Sequence, residues 1–256
     1  MSQTAGFLYP GHSAEDDYPA LQERLGGGVR LPLVHTLMRE DAHRVDALRD
    51  WGSADLLADG AAELVRRGAQ SVVWACTSGS FVWGWDGARE QVEKLGAACG
   101  LPSSSTSFAF AHAARALGVR RVAVAATYPD DVAELFAAFL ASAGVEVLGT
   151  TSRGIITAAE VGTLPRERVL DFAAAAVEAE GTRGADAVLM PDTALHTAAW
   201  LDELEQRVGR PVLTANQVSA WEGLRLAGHR QEHEGLGSLF RQAPAGAGAG
   251  GGAAAN

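Results

Sequence analysis

Cysteine is scarce in this chain of 256 residues: there are two, at positions 76 and 99. Two thiols at that separation make no metal framework of recognisable spacing, and in a reducing compartment they are not expected to pair as a disulfide. No metal and no cofactor are expected. Positive charge is also in short supply. Lys and Arg number 21 against 31 Asp and Glu, for a formal net charge of −10 and a pI near 5.1, the reverse of what nucleic-acid phosphates require. An anionic small molecule is not excluded, because helix N-termini and backbone N–H groups set the field of a pocket more than net charge does. No run approaches the ~18 consecutive apolar residues of a membrane span, and Met1-Ser2-Gln3-Thr4 lacks the basic start of a secretory signal. A cytoplasmic protein without nucleic-acid or membrane partners is expected.

What is present is enough apolar residue, 47% with a mean hydropathy of +0.02, for a globular α/β chain of one large domain or two lobes. The organising stretch is Ser71-Val72-Val73-Trp74-Ala75-Cys76-Thr77-Ser78-Gly79-Ser80. It reads as a buried strand that delivers a thiol to its carboxyl end, ahead of a segment whose free N–H groups and dipole favour an anion. The design recurs at residues 184–193, which repeat the Gly, Ala, Val and Thr of residues 68–77 at one constant offset and set Asp192 opposite Cys76.

In chain order, residues 6–9 read as a first strand, and 29–38, with Pro32 inside, as an edge or bent strand. Ser53 starts a helix with Leu56, Leu57, Leu64 and Val65 on one face. Helices follow at 87–98 and 108–117, the second after a Ser-rich stretch that is less strand-like by propensity. Residues 121–128 are a strand, and Pro129-Asp130-Asp131 opens a helix. The alternation continues to residue 226, and 102–118 resembles 211–228. This predicts an α/β fold of two pseudo-symmetric lobes, each a mostly parallel sheet flanked by helices, with the active-site cleft between their strand ends. Lobe 1 is expected at 1–105, completed by 215–242, lobe 2 at 106–214, and a flexible Gly/Ala-rich tail at 243–256.

Cys76 reads as a nucleophile or base, or as a packed thiol; Asp192 as a general acid or base facing it, or as a helix N-cap. Amide donors around Cys76 are expected to activate it, so that it is alkylated faster than Cys99. Thr77, Ser78 and Thr193 are donors to a carboxylate or caps, Tyr128 aims a phenol into the cleft, and His12 lies in a strand-end loop at its wall.

Together, Cys76-Thr77-Ser78-Gly79-Ser80-Phe81, the run from Gly118 through Thr127-Tyr128-Pro129-Asp130-Asp131-Val132, and Pro211-Val212 through Asn216-Gln217 and Trp221 to Gly228 resemble the aspartate/glutamate racemase superfamily. Within it, they resemble the branch of maleate cis-trans isomerases and arylmalonate decarboxylases. The resemblance implies a cofactor-independent isomerase, racemase or decarboxylase acting on a small carboxylic acid, with two cysteines facing each other and Thr, Ser and Tyr holding a carboxylate. Cys76 matches the first cysteine, Thr77 and Ser78 the donors after it, and Tyr128 the pocket tyrosine; Asp192 stands where the branch has its second cysteine. A thiol-dependent hydrolase and a non-catalytic binder of small ligands are the alternatives, and assembly into a homo-oligomer stays open.

Overall fold

The computed structural model describes residues 2–242, so the tail expected at 243–256 lies outside the described residues. The first half of the chain forms β1 (Gln3–Pro10), α1 (Asp17–Leu25), β2 (Val29–Arg30), β3 (Leu33–Thr36), α2 (Val45–Trp51), α3 (Ala54–Arg66), β4 (Ser71–Trp74), α4 (Ser78–Phe81), α5 (Gly84–Cys99), β5 (Ser103–Ser105) and α6 (Thr106–Ala116). Its strands pair in parallel in the order β2-β1-β4-β5, with β3 on the same edge of β1 as β2. Pro32 explains that broken edge. It has no N–H to give to a ladder, but its carbonyl accepts from Phe7 N at 2.9 Å, so the expected bent strand is two short ones.

The second half forms β6 (Arg121–Ala126), α7 (Asp130–Ser142), β7 (Glu146–Ser152), α8 (Ala158–Gly162), α9 (Arg166–Glu178), β8 (Ala187–Met190), α10 (Leu201–Val208), β9 (Val212–Thr214) and α11 (Ala215–Leu226). Its parallel order, β7-β6-β8-β9, repeats the first, with β1 equivalent to β6, β4 to β8 and β5 to β9. β6 is buried on both faces with period two. Val122, Val124 and Ala126 join the core shared with the first sheet, while Ala123 and Ala125 join a second core with Val169, Phe172 and Val188.

Where the chain leaves each sheet, a hydroxyl caps the next helix: Ser105 accepts from Phe108 N at 3.4 Å, and Thr214 forms a capping box with Gln217. α11 then returns to the first sheet. A Cβ at Gly223 would lie 3.0 Å from Ala5 and 3.1 Å from Phe7, so close approach, rather than a turn, requires glycine there. α6 and α11 are joined by Thr106 Oγ1 to Ser219 Oγ at 2.6 Å and His112 Nδ1 to Glu222 Oε1 at 2.9 Å.

Several local expectations change. Val65 is 41% exposed while Leu57 and Leu64 are buried, which narrows the apolar face of α3. α1 and α2 carry too few apolar residues for periodicity to reveal them; α1 is held through Tyr18, Leu21 and Leu25. The Ser-rich stretch does form a strand, because its hydroxyls are consumed inside: Ser105 Oγ meets Ser80 Oγ at 2.8 Å.

Candidate active site

Cys76 and Asp192 each lie two residues beyond equivalent strands, β4 and β8, and both are buried, at 2% and 4% exposure. A parallel strand ends with its side chains directed to the sheet's carboxyl edge, and two such edges face each other here. Cys76 Sγ accepts from Gly79 N at 3.3 Å and lies 3.9 Å from Ser78 Oγ. Burial nonetheless dominates. It pushes the thiol up to about 12, with Asp192 adding to the rise and the Gly79 and Ser78 groups opposing it. Against the activation expected from the sequence, burial here favours the protonated thiol of Cys76.

Asp192 is held by both oxygens. Oδ2 accepts from Thr127 Oγ1, and Oδ1 accepts from Ala194 N at 2.9 Å, so the capping contact exists beside whatever chemistry the carboxylate performs. Tyr128 donates to Pro191 O at 2.8 Å; its phenol is raised well above its ordinary value by burial, then by Asp192 and Cys76. Thr77 is wholly buried and its Oγ1 has no partner, while its carbonyl accepts from Ser107 Oγ at 2.8 Å. Thr193 contributes a carbonyl that accepts from Tyr9 Oη at 2.8 Å and from Asn216 Nδ2 at 3.1 Å. A thiol, a carboxylate and a phenol thus lie buried within electrostatic reach of one another, next in sequence to an unsatisfied hydroxyl.

His12 is elsewhere. Its ring pairs with Glu15 at 3.0 Å and lies over His35, 4.0 Å between centroids, on the exposed rim of the first sheet rather than against Cys76. The ligand atoms of His12, Glu15 and His35 lie within 4.8 Å of one another, the residues among those described that come nearest to a metal-ligand set. An open cavity of about 450 Å³, lined by Arg49, Leu57, Trp83, Gln91 and Leu95 among others, includes neither Cys76 nor Asp192. Its link to the site is Gln91, whose Nε2 donates to Gly79 O at 3.0 Å.

Two residues of this region carry no sequence signal of their own. Tyr9 closes β1 much as Tyr128 follows the equivalent β6, so the internal repeat held a clue to it. His43 lies in a stretch without periodicity, and its buried imidazole places Nε2 3.9 Å from Asp192 Oδ2 and its ring 5.0 Å from that of Tyr128.

A profile of the arylmalonate decarboxylase family matches residues 52–240. The arylmalonate decarboxylase of Bordetella bronchiseptica is 35% identical over 183 residues, covering 71% of this chain and 75% of that protein. A liganded double mutant of arylmalonate decarboxylase, with a glycine changed to cysteine and a cysteine to serine, superposes with a TM-score of 0.80 at 30% identity, covering 93% of this chain and 99% of the other. A variant of the maleate isomerase of Pseudomonas putida S16, solved with maleate, reaches 0.83 at 20% identity over 94% and 98% of the two chains, a likeness of fold. Two parallel sheets of matching order and this similarity over most of the sequence make the chain a member of the arylmalonate decarboxylase family of enzymes, in the aspartate/glutamate racemase superfamily.

Proposed function

We propose that the protein is a cofactor-independent isomerase, racemase or decarboxylase of a small carboxylic acid, with Cys76 as nucleophile or proton donor and base, and Asp192 as the opposing acid or base. The observation that carries the reading is the enclosed pairing of the Cys76 thiol with the Asp192 carboxylate beside the partnerless hydroxyl of Thr77. A buried hydroxyl without a partner costs ~1–3 kcal/mol, and a substrate carboxylate oxygen relieves that cost. The relatives, arylmalonate decarboxylase and a maleate isomerase, are named for small carboxylates, which supports the substrate class.

The chemistry follows from the donors. When a bond from the α-carbon to hydrogen or to a carboxyl group breaks, its electron pair moves into the remaining carboxylate as an enediolate. The O–H groups of Thr77 and Ser78 stabilise that developing charge, and Tyr128 joins them only by releasing Pro191 O. A thiol held protonated by burial then delivers a proton to the carbon, and Asp192 removes or supplies one from the facing side. Delivery to the face opposite the one that lost the group inverts the centre.

The test is deuterium incorporation at the α-carbon across a panel of small carboxylic acids in D2O, followed by NMR. Labelling or turnover is expected for the wild type, with losses of roughly 10²–10⁴-fold in both Cys76→Ala and Asp192→Asn. Asn caps about as well as Asp. A fully active Asp192→Asn beside an inactive Cys76→Ala reduces Asp192 to its contact with Ala194 N, and absence of labelling and turnover across the panel removes the proposal.

A further inference from the structure

His43 is a buried titratable group that this scheme leaves unused, and the second sheet's side of the molecule fixes it in place. It sits between β3 and α2; its N–H donates to Ile156 O at 2.6 Å, and its Nδ1 lies 2.9 Å from Ile155 O. A carbonyl can only accept, so Nδ1 carries the hydrogen. Nε2 is then the ring atom with a choice of protonation, and it faces Asp192 Oδ2 at 3.9 Å. With no further proton, both facing atoms are acceptors, an unfavourable opposition in a site closed to water.

The other neighbours do not resolve it. Tyr128 gives its hydroxyl to Pro191 O, the indole N–H of Trp51 goes to Glu40 O, and the carboxylate of Asp41, on the same segment as His43, accepts from Ala158 N and Ala159 N. Of the remaining titratable groups of the site, Tyr9 gives its hydroxyl to Thr193 O, and both it and Cys76 are raised by burial and by Asp192.

We propose that His43 and Asp192 share the one proton that the reaction puts on this side of the site, so that the acid/base opposite Cys76 is an imidazole–carboxylate pair with His43 as its positioning and proton-sharing member. This rests on the role given to Asp192 in the reaction proposed above. In a racemisation the C–H bond breaks, its electron pair enters the enediolate, and the proton passes to Asp192 Oδ2, shared with Nε2. The Cys76 S–H bond then breaks as its proton reaches the carbon from the other face, leaving a thiolate. The return passage, from the opposite enantiomer, restores both groups. One proton therefore moves between the two sides of the site: the pair lacks it while Cys76 is a thiol and holds it while Cys76 is a thiolate.

Two measurements test the pair, the first needing no substrate. The Nε2 resonance of His43, compared by NMR at one pH in the wild type and in Asp192→Asn, is expected to move while that of Nδ1, fixed on Ile155 O, stays, because the group facing Nε2 has changed. An Nε2 resonance that is the same in both overturns the inference. The second is His43→Asn, which keeps an N–H donor for Ile155 O. Its kcat is expected to fall roughly 10–100-fold with KM little changed and with one limb of the pH–rate profile lost. Full activity with an unchanged profile, beside inactive Cys76→Ala and Asp192→Asn, sinks the pair and leaves the proposed reaction standing. If no acid is labelled or turned over by the wild type, the reaction falls, and the NMR comparison still decides whether the pair exists.

Discussion

A thiol at the end of a buried strand is pulled in opposite directions, and magnitude decides which wins. One N–H at 3.3 Å and one hydroxyl at 3.9 Å favour the thiolate of Cys76, but removing that charge from water costs more. The consequence reverses the order expected from sequence. Cys99, half-buried at the C-terminal end of α5, is expected to be alkylated by iodoacetamide before Cys76 in the substrate-free protein, as peptide mass spectrometry would show; Cys76 labelling first contradicts the closed site. Stability gives an independent reading. The thiol's value rises from 9.0 to about 12 on folding, so its contribution is fully present below pH 9.0 and is lost as pH climbs toward 12. Urea midpoints at pH 8 and pH ~10.5 are therefore expected to fall more in the wild type than in Cys76→Ala; equal falls remove the assignment.

At the scale of elements, the two returning helices depend on one carboxylate. Burial alone would raise Glu222 of α11, but His112 of α6 and Arg225 bond it and bring it down to about 2. A lowered value means stability present above the ordinary 4.5 and lost as pH falls from there toward about 2. Glu222→Gln is expected to cost ~3 kcal/mol at pH 7, because it strips a buried partner from His112 and Arg225, with a smaller difference from the wild type near pH 3. Chemical denaturation at the two pH values checks both the size and its direction; a gap that widens in acid refutes the account. The strands behind these helices were legible where apolar runs end in a punctuating residue, as at Val72-Val73-Trp74 and Val188-Leu189-Met190. Ser103–Ser105 was not, because its strand character comes from buried hydroxyl partners that only the folded chain supplies. Nor was His43, whose partners Ile155, Ile156 and Asp192 all belong to the other half of the chain.

At the scale of the molecule, the repeat carried the most information, since matched strand order follows from matched segments and brings Cys76 and Asp192 to facing edges. What repetition could not convey is how the two halves are fastened over the site. That fastening is the segment around Asp41 and His43, which departs from the first sheet and bonds to residues 155–159 beside the second: Asp41 Oδ1 and Oδ2 accept from Ala158 N at 2.7 Å and Ala159 N at 3.0 Å. Because Cys76 is 2% exposed, any reagent or substrate reaches it only when such contacts open. Asp41→Ala removes a capping interaction worth ~1 kcal/mol, while Thr157 still caps α8 through Glu160 N at 3.2 Å, so the helix itself persists. That loss is expected to raise the population of the open form, and with it the alkylation rate of Cys76, by roughly fivefold. Cys99, remote from the segment in sequence and held by its own contacts to Gly96, Leu101 and Ser103, serves as the internal reference and is expected to keep its rate. An unchanged ratio of the two rates in Asp41→Ala places the opening elsewhere; a rise in both rates marks general loosening, and only a selective rise at Cys76 identifies this segment as the closure.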